Sequence, residues 1–185
     1  MEGAFTWLSQ LIEWLGRLFP RLVILDGTEA AVKWVRGKHP KYCGPGLHWY
    51  WPIVTTFSQA ATARQADRLQ AQTIVTTDDK TIIVSGLIVY TIPDLLTLLT
   101  TTYHAQTAVA DITLTAIHDV CCQMSWEELK GEQRRGTLDT KLKNAAQREL
   151  KNYGISVIKL MLTDLAPAKV LKLVQSMQHQ DDILG

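Results

Sequence analysis

The stretch QTIVTTDDKTIIVSGLIVYTIPD, Gln72 to Asp94, decides the fold class. Arg68 to Thr77 reads as a strand, and Asp78-Asp79 supplies a turn from residues that tolerate tight backbone. Lys80 to Ile92 is long, β-branched and apolar on both parities, so it reads as a buried central strand. Pro93-Asp94 stops it and opens a helix, because proline suits a first helical turn.

Downstream the period changes from two to about 3.6. Leu95–Thr102, Ala105–Gln123 and Ser125–Asn152 read as helices, the last weakened by Gly131 and Gly136. Ser125-Trp126-Glu127-Glu128 is a capping-box pattern. Arg135–Asp139 and Asp139–Lys143 are spaced for ion pairs along one helix. Gly154 ends that helix, and Ile155–Leu165 is one more strand. Pro167 is expected to begin a final helix.

Upstream, Leu22–Asp26 and Thr28–Val35 read as short strands broken at Asp26-Gly27. Gly37–Pro52 (GKHPKYCGPGLHWYWP) is so rich in turn formers that no regular element is expected there. Gly44 and Gly46 are expected at positive φ beside Pro45. Val54–Arg64 reads as a further strand.

The 185 residues are 46% hydrophobic and 20% charged, which suits one globular domain and excludes a disordered or collagen-like chain. A net charge of +1 offers no global basic field, so nucleic acid is not an expected partner. Three cysteines, Cys43, Cys121 and Cys122, do not make a disulfide scaffold. Five of the six tryptophans fall in the first 51 residues. Amphipathic rings collect at membrane interfaces, so this asymmetry points there rather than to an ordinary core.

Met1–Leu25 carries Phe5, Leu8, Leu11, Ile12, Leu15, Leu18 and Phe19 at helical spacing, with Trp7 and Trp14 among them. Thr6, Ser9, Gln10, Glu13 and Arg17 form the opposite face, and Pro20 should end the helix. Three readings stay open: an interfacial helix in the membrane plane, a tilted or shallow insertion extended by Leu22–Leu25, and a terminal helix packed on the protein's own core. Phe5, Trp7, Leu8, Leu11, Ile12, Trp14, Leu15, Leu18, Phe19, Trp49 and Trp51 are the candidate membrane contacts. Lys33, Arg36, Lys38 and Lys41 form a basic run, interleaved with aromatics, that suits anionic headgroups. Its alternative is a solvated loop with charged tips. Cys43, in the same region, is a candidate for S-acylation, against the plainer reading of a free cysteine.

Four stretches together resemble the SPFH or band 7 superfamily (stomatins, prohibitins, flotillins and the bacterial HflK/HflC proteins). They are Gly44-Pro45-Gly46-Leu47-His48 with Pro52-Ile53; Gln72–Lys80 leading into Val89–Asp94; Gln123–Leu129; and Tyr153–Val157 with Thr163–Pro167. The resemblance implies an α+β domain with a mixed, mainly antiparallel sheet packed on helices. Three parts are then expected: a membrane-associating segment at 1–27, an SPFH domain at 28–166 and a short C-terminal helix at 167–185. It also implies a membrane-associated, non-enzymatic scaffold on one membrane face, peripheral or monotopic, held by its N-terminus. Lipids and further copies of the chain in a ring or cage are the implied partners, with a membrane protease or other membrane protein as a further one. The long coiled coil usual after the position of Pro167 is missing from these 185 residues. A small adaptor that binds a membrane protein without building a large ring is therefore the alternative.

No cofactor, metal or catalytic residue is expected. The five histidines lack zinc-ligand spacing. His118 lies one helix turn from Cys121, but a half-buried helix face explains the pair more simply than a thiolate site. Removing residues 1–19 is expected to release the domain from membranes.

Overall fold

The computed structural model describes residues 19–168 and begins with a two-stranded ribbon. Strand β1 (Arg21–Leu25) pairs antiparallel with β4 (Gly46–Tyr50), Leu22 opposite Trp49 and Ile24 opposite Leu47. A second sheet has the order β3-β2-β5, with β2 Glu29–Val35, β3 His39–Cys43 and β5 Thr55–Ala61. A third has the order β6-β7-β8, with β6 Gln65–Val75, β7 Thr81–Thr91 and β8 Ser156–Pro167. Every pairing among the described residues is antiparallel, so the single mixed sheet expected from the resemblance is three small antiparallel ones. Four helices lie between β7 and β8: α1 (Leu95–Thr101), α2 (Ala105–Cys122), α3 (Trp126–Arg135) and α4 (Thr137–Leu150).

The main core lies between the helices and one face of the third sheet. Ile82, Val84, Ile88 and Tyr90 of β7 meet Val109, Ile117 and Cys121 of α2 and Leu138, Leu142 and Leu150 of α4. Ala30 and Val32 of β2 join this core from the second sheet. A smaller core of Leu25, Ala31 and Cys43, with Val23 and Phe57 against it, holds the ribbon on the other face of β2. Residues 21–25 are thus part of the folded body.

Polar contacts fix the joints. Asp78 of the β6–β7 turn accepts from the Thr76 hydroxyl (2.5 Å) and from the Trp126 N–H (3.1 Å), tying the turn to the start of α3. The expected capping box is present: the Ser125 oxygen accepts from the Glu128 N–H, and the Glu128 carboxylate accepts from the Ser125 N–H. Gln147 of α4 stands in for a neighbouring strand, accepting from the Val157 N–H (2.6 Å) and donating to the Ile155 carbonyl (3.2 Å). Gly154 sits at φ +74° with Asp94 so close that a Cβ would lie 2.3 Å from the Asp94 carbonyl oxygen.

Several expectations are corrected. Gly37–Pro52 holds two strands rather than irregular chain. Pro40 fits because β3 is a sheet edge, where a missing N–H costs no ladder bond. Only Gly46 of the two expected glycines has positive φ, at +128°. Ser125–Asn152 is two helices, because Gly136 at φ +71° caps α3 and starts α4. That break removes the helical spacing between Arg135 and Asp139. Arg135 instead donates to the Gly131 carbonyl, and the ion pairs of this region are Glu127–Lys130 and Glu132–Lys141. Pro167 is the last residue of β8, an edge strand, and does not begin a helix.

Candidate membrane-facing surface

Residues directly opposite in an antiparallel pair share a face. Leu22, Ile24, Leu47 and Trp49 therefore form one side of the ribbon, and all four point outward, Ile24 at 73% exposure and Trp49 at 59%. Val23 and Leu25 point inward to the small core, and Tyr50 stacks on Phe57 with centroids 5.6 Å apart. The ribbon thus shows its apolar face to solvent, the reverse of what burial alone would choose.

The loop after β4 extends this face with Trp51, Ile53 and Val54, all exposed. The Val54 carbonyl accepts from the Arg36 N–H at 2.7 Å, which fastens this loop to the β2–β3 turn. In that turn Lys38 N–H donates to the Val35 carbonyl, and both central residues have positive φ, Arg36 +52° and Gly37 +68°. Asparagine-glycine is the favoured pair for such a turn, so an arginine at the first position is held at a conformational cost. Lys33 lies directly opposite Lys41, an arrangement that repels in water. The Lys33 ammonium donates to the Trp49 carbonyl at 3.0 Å, bridging the basic strand pair to the ribbon. Among the described residues, none of Lys33, Arg36, Lys38 and Lys41 is in an ion pair.

One end of the molecule therefore joins three features: an apolar ribbon face, an apolar loop and a basic hairpin. The chain enters this same end, since Phe19, 64% exposed, precedes β1. Trp49, Trp51 and the four cations come together here as a group. Phe5, Trp7, Leu8, Leu11, Ile12, Trp14, Leu15 and Leu18 lie outside the described residues. Leu47, Ile53 and Val54 were missed as contacts by sequence reading; Leu22 and Ile24 were read as part of a short strand and as lipid-contacting only if the first segment inserts. Their signal was the apolar run Leu22–Leu25 and the alternation within Gly46–Trp51, which acquire meaning only once the two strands are paired.

Cys43 is 7% exposed and packs beside Leu25 and Ala31, so its thiol is an interior group rather than an accessible acylation point. Cys121 is fully buried, and burial first, with Cys122 second, pushes its thiol up to about 12. His118 instead faces Asp119 on the exposed side of α2. The pair has neither the thiolate nor the contact that nucleophilic chemistry needs. A cleft of about 380 Å³ is lined by Gln59, Gln65, Tyr90 and His104 among others. Its phenol is already committed: Tyr90 donates to Asp67 (2.8 Å) and Gln65 (3.1 Å), and burial, then the hydrogen bond to Asp67 and the Asp67 charge, raise its pKa above the usual range. No helix among the described residues is long and apolar enough to cross a membrane.

The sequence is 24% identical over 174 residues to an uncharacterized protein of Archaeoglobus fulgidus, covering 94% of this chain and 69% of that protein. The family model for the SPFH domain / Band 7 family matches residues 23–181. Proteins of that family are generally membrane-associated scaffolds without catalytic activity. Because the match runs from within β1 to beyond β8 and takes in most of the chain, this protein belongs to the SPFH domain / Band 7 family.

Proposed function

We propose that this protein is a membrane-associated scaffold. It docks on one leaflet through the apolar end of its folded body together with residues 1–19, and it assembles side by side into a ring or cage that organises lipid and protein around it. The observation that supports docking is the outward face of Leu22, Ile24, Leu47 and Trp49, continued by Trp51, Ile53 and Val54. Such a patch in water is a liability unless something apolar meets it. The adjacent Lys33–Lys41 pair favours an anionic surface, where each cation near the headgroups contributes about 1 kcal/mol.

The test uses the full chain with neutral and with anionic phospholipid vesicles. Ile24→Ser with Leu47→Ser should weaken binding by about 2 kcal/mol, roughly thirtyfold, on both, since two exposed aliphatics are lost from the lipid contact without a change of charge. Unchanged binding would remove the ribbon from the docking surface. Gently extracted full-length protein, imaged as single particles, tests assembly. Uniform closed rings support the scaffold; monomers with a bound membrane protein would replace it with the adaptor.

A further inference from the structure

Two bonds set the phase of the β2–β5 ladder. The Thr62 N–H donates to the Thr28 carbonyl at 2.9 Å, and the Arg36 N–H donates to the Val54 carbonyl at 2.7 Å. Both fall in the register that sets Ala60 opposite Ala30 and Ser58 opposite Val32. Bonded and non-bonded pairs alternate along an antiparallel ladder. Ala60, Ser58 and Thr56 therefore bond to β2, while Ala61, Gln59 and Phe57 turn their N–H and C=O groups to the other edge. The Gln65 side-chain amide agrees with this phase: it donates to the Ala61 carbonyl at 2.7 Å from β6, a strand not paired with β5. Among the described residues, the Gln59 N–H and C=O have no partner at that edge.

An exposed edge invites a further strand, and proteins usually blunt it with charge, proline or a bulge. The other edges of the second and third sheets carry such devices. Pro40 and Lys41 stand in β3, Asp67, Arg68 and a register break after Leu69 in β6, and Lys159, Asp164 and Pro167 in β8. Strand β5 has neither charge nor proline, and its register is unbroken. Its edge opens into the cleft of about 380 Å³, lined beyond β5 by Tyr90, Ile92 and the first turn of α2. No Asp, Glu, Lys or Arg lines that cleft, and Tyr103, 94% exposed, stands on its rim.

We propose that this cleft binds an extended, uncharged peptide segment of a partner protein, which adds to β5 as a further strand. The Gln59 N–H and C=O and the Ala61 N–H supply the ladder bonds, the source of affinity in strand addition. The lining sets the side-chain preference, since a charge enclosed there meets no opposite charge. A cleft of this volume takes a few extended residues, whereas the edge of another copy would bring its neighbouring strand with it. The site is separate from the membrane-facing end and does not rest on the docking or assembly proposed there.

The experiment pans the full chain against displayed random octapeptides. The enriched peptide is then synthesised with acetyl and amide ends, and its Kd is read by fluorescence anisotropy. Enriched peptides should lack Asp, Glu, Lys, Arg and Pro at their centres. Gln59→Pro deletes an edge N–H without touching the β2 ladder, and Gln59→Ala removes the same side chain but keeps that N–H. The proline variant should bind about tenfold more weakly than the alanine variant. N-methylation of the peptide, which leaves the protein unaltered, should cost about tenfold at every second amide and leave the amides between within about twofold. No enrichment, charged centres, equal Kd values for the two variants, or methylation effects without alternation overturn the proposal. So does a change in particle size of Gln59→Pro with no peptide present, because another copy would then be the occupant of the edge.

Discussion

The helical body and the strand-only end use apolar residues in opposite ways. In the body, Leu138, Leu142 and Leu150 of α4 are fully buried against β7 and β8. At the other end, Ile24 and Leu47 pair across a ribbon and face outward, held by a core of only Leu25, Ala31 and Cys43. The body's apolar content makes the fold, and the end's apolar content makes a surface. Substitutions in the first should register as lost stability, and substitutions in the second as lost lipid contact with stability kept.

The largest effect is expected where the body is tightest. In Gly154→Ala the new Cβ meets the Asp94 carbonyl at 2.3 Å, in a backbone conformation that alanine rarely adopts. Relief must pry the start of α1 from the start of β8, where Asp94 N–H donates to the Gly154 carbonyl. Urea unfolding should show a loss of about 4 kcal/mol. Next comes the direct contrast. Leu142→Ala leaves a cavity in the main core and should cost about 3 kcal/mol. Ile24→Ala, on the outward face of the ribbon, should cost less than about 0.5 kcal/mol. If the two losses are equal, the ribbon is core-like and the division between the two regions fails.

How much of this was legible in the sequence follows the same division. The β6–β7 hairpin, α1, α2, the Ser125 capping box and the strand after Gly154 rest on local signals: period, caps and turn residues. Those were readable. The β3–β4 region was not, because His39–Tyr50 is full of residues that favour turns, and only pairing to β2 and β1 makes strands of it. The same pairing converts Leu22, Ile24 and Leu47 from scattered apolar residues into one face. Cys43 shows the converse: beside basic and aromatic residues it was a candidate for acylation against the plainer reading of a free cysteine, and its strand parity turns it inward as a free, buried thiol. The break at Gly136 was visible as a glycine, but whether it would bend or end the helix depended on its φ of +71°.

A smaller effect sharpens the functional side. Arg36 occupies a turn position with φ +52° that asparagine fills more easily. Arg36→Asn should therefore leave the body's stability unchanged or raise it by about 0.5 kcal/mol. It should also weaken binding to anionic vesicles by about 1 kcal/mol, roughly fivefold, and leave neutral vesicles unaffected. Stability and lipid affinity moving in opposite directions from one residue is the signature expected of a surface kept for its partner. A drop in both would make Arg36 a structural residue.

The smallest effect belongs to the joint between the β6–β7 turn and α3, and it is seen through pH. The Thr76 hydroxyl, then Lys80 with its ammonium 2.9 Å away, then the Trp126 N–H hold the Asp78 carboxyl well below its ordinary 3.8. The folded state therefore keeps the charged form to lower pH than the unfolded chain does. The contribution of Asp78 is present in full above its unfolded pKa and is lost as pH falls from about 4 toward its folded value. Asp78→Asn removes it at every pH. The stability gap between the two proteins should be widest near neutral pH and should close progressively below pH 4. Asp94, Glu127 and Glu128 also have lowered pKa values, so both proteins lose stability in acid, and only the gap isolates Asp78. Because the group stands partly in solvent, screening keeps the gap small. A gap that stays constant down to pH 2 would mean that the turn is held to α3 by its backbone shape rather than by the Asp78 charge.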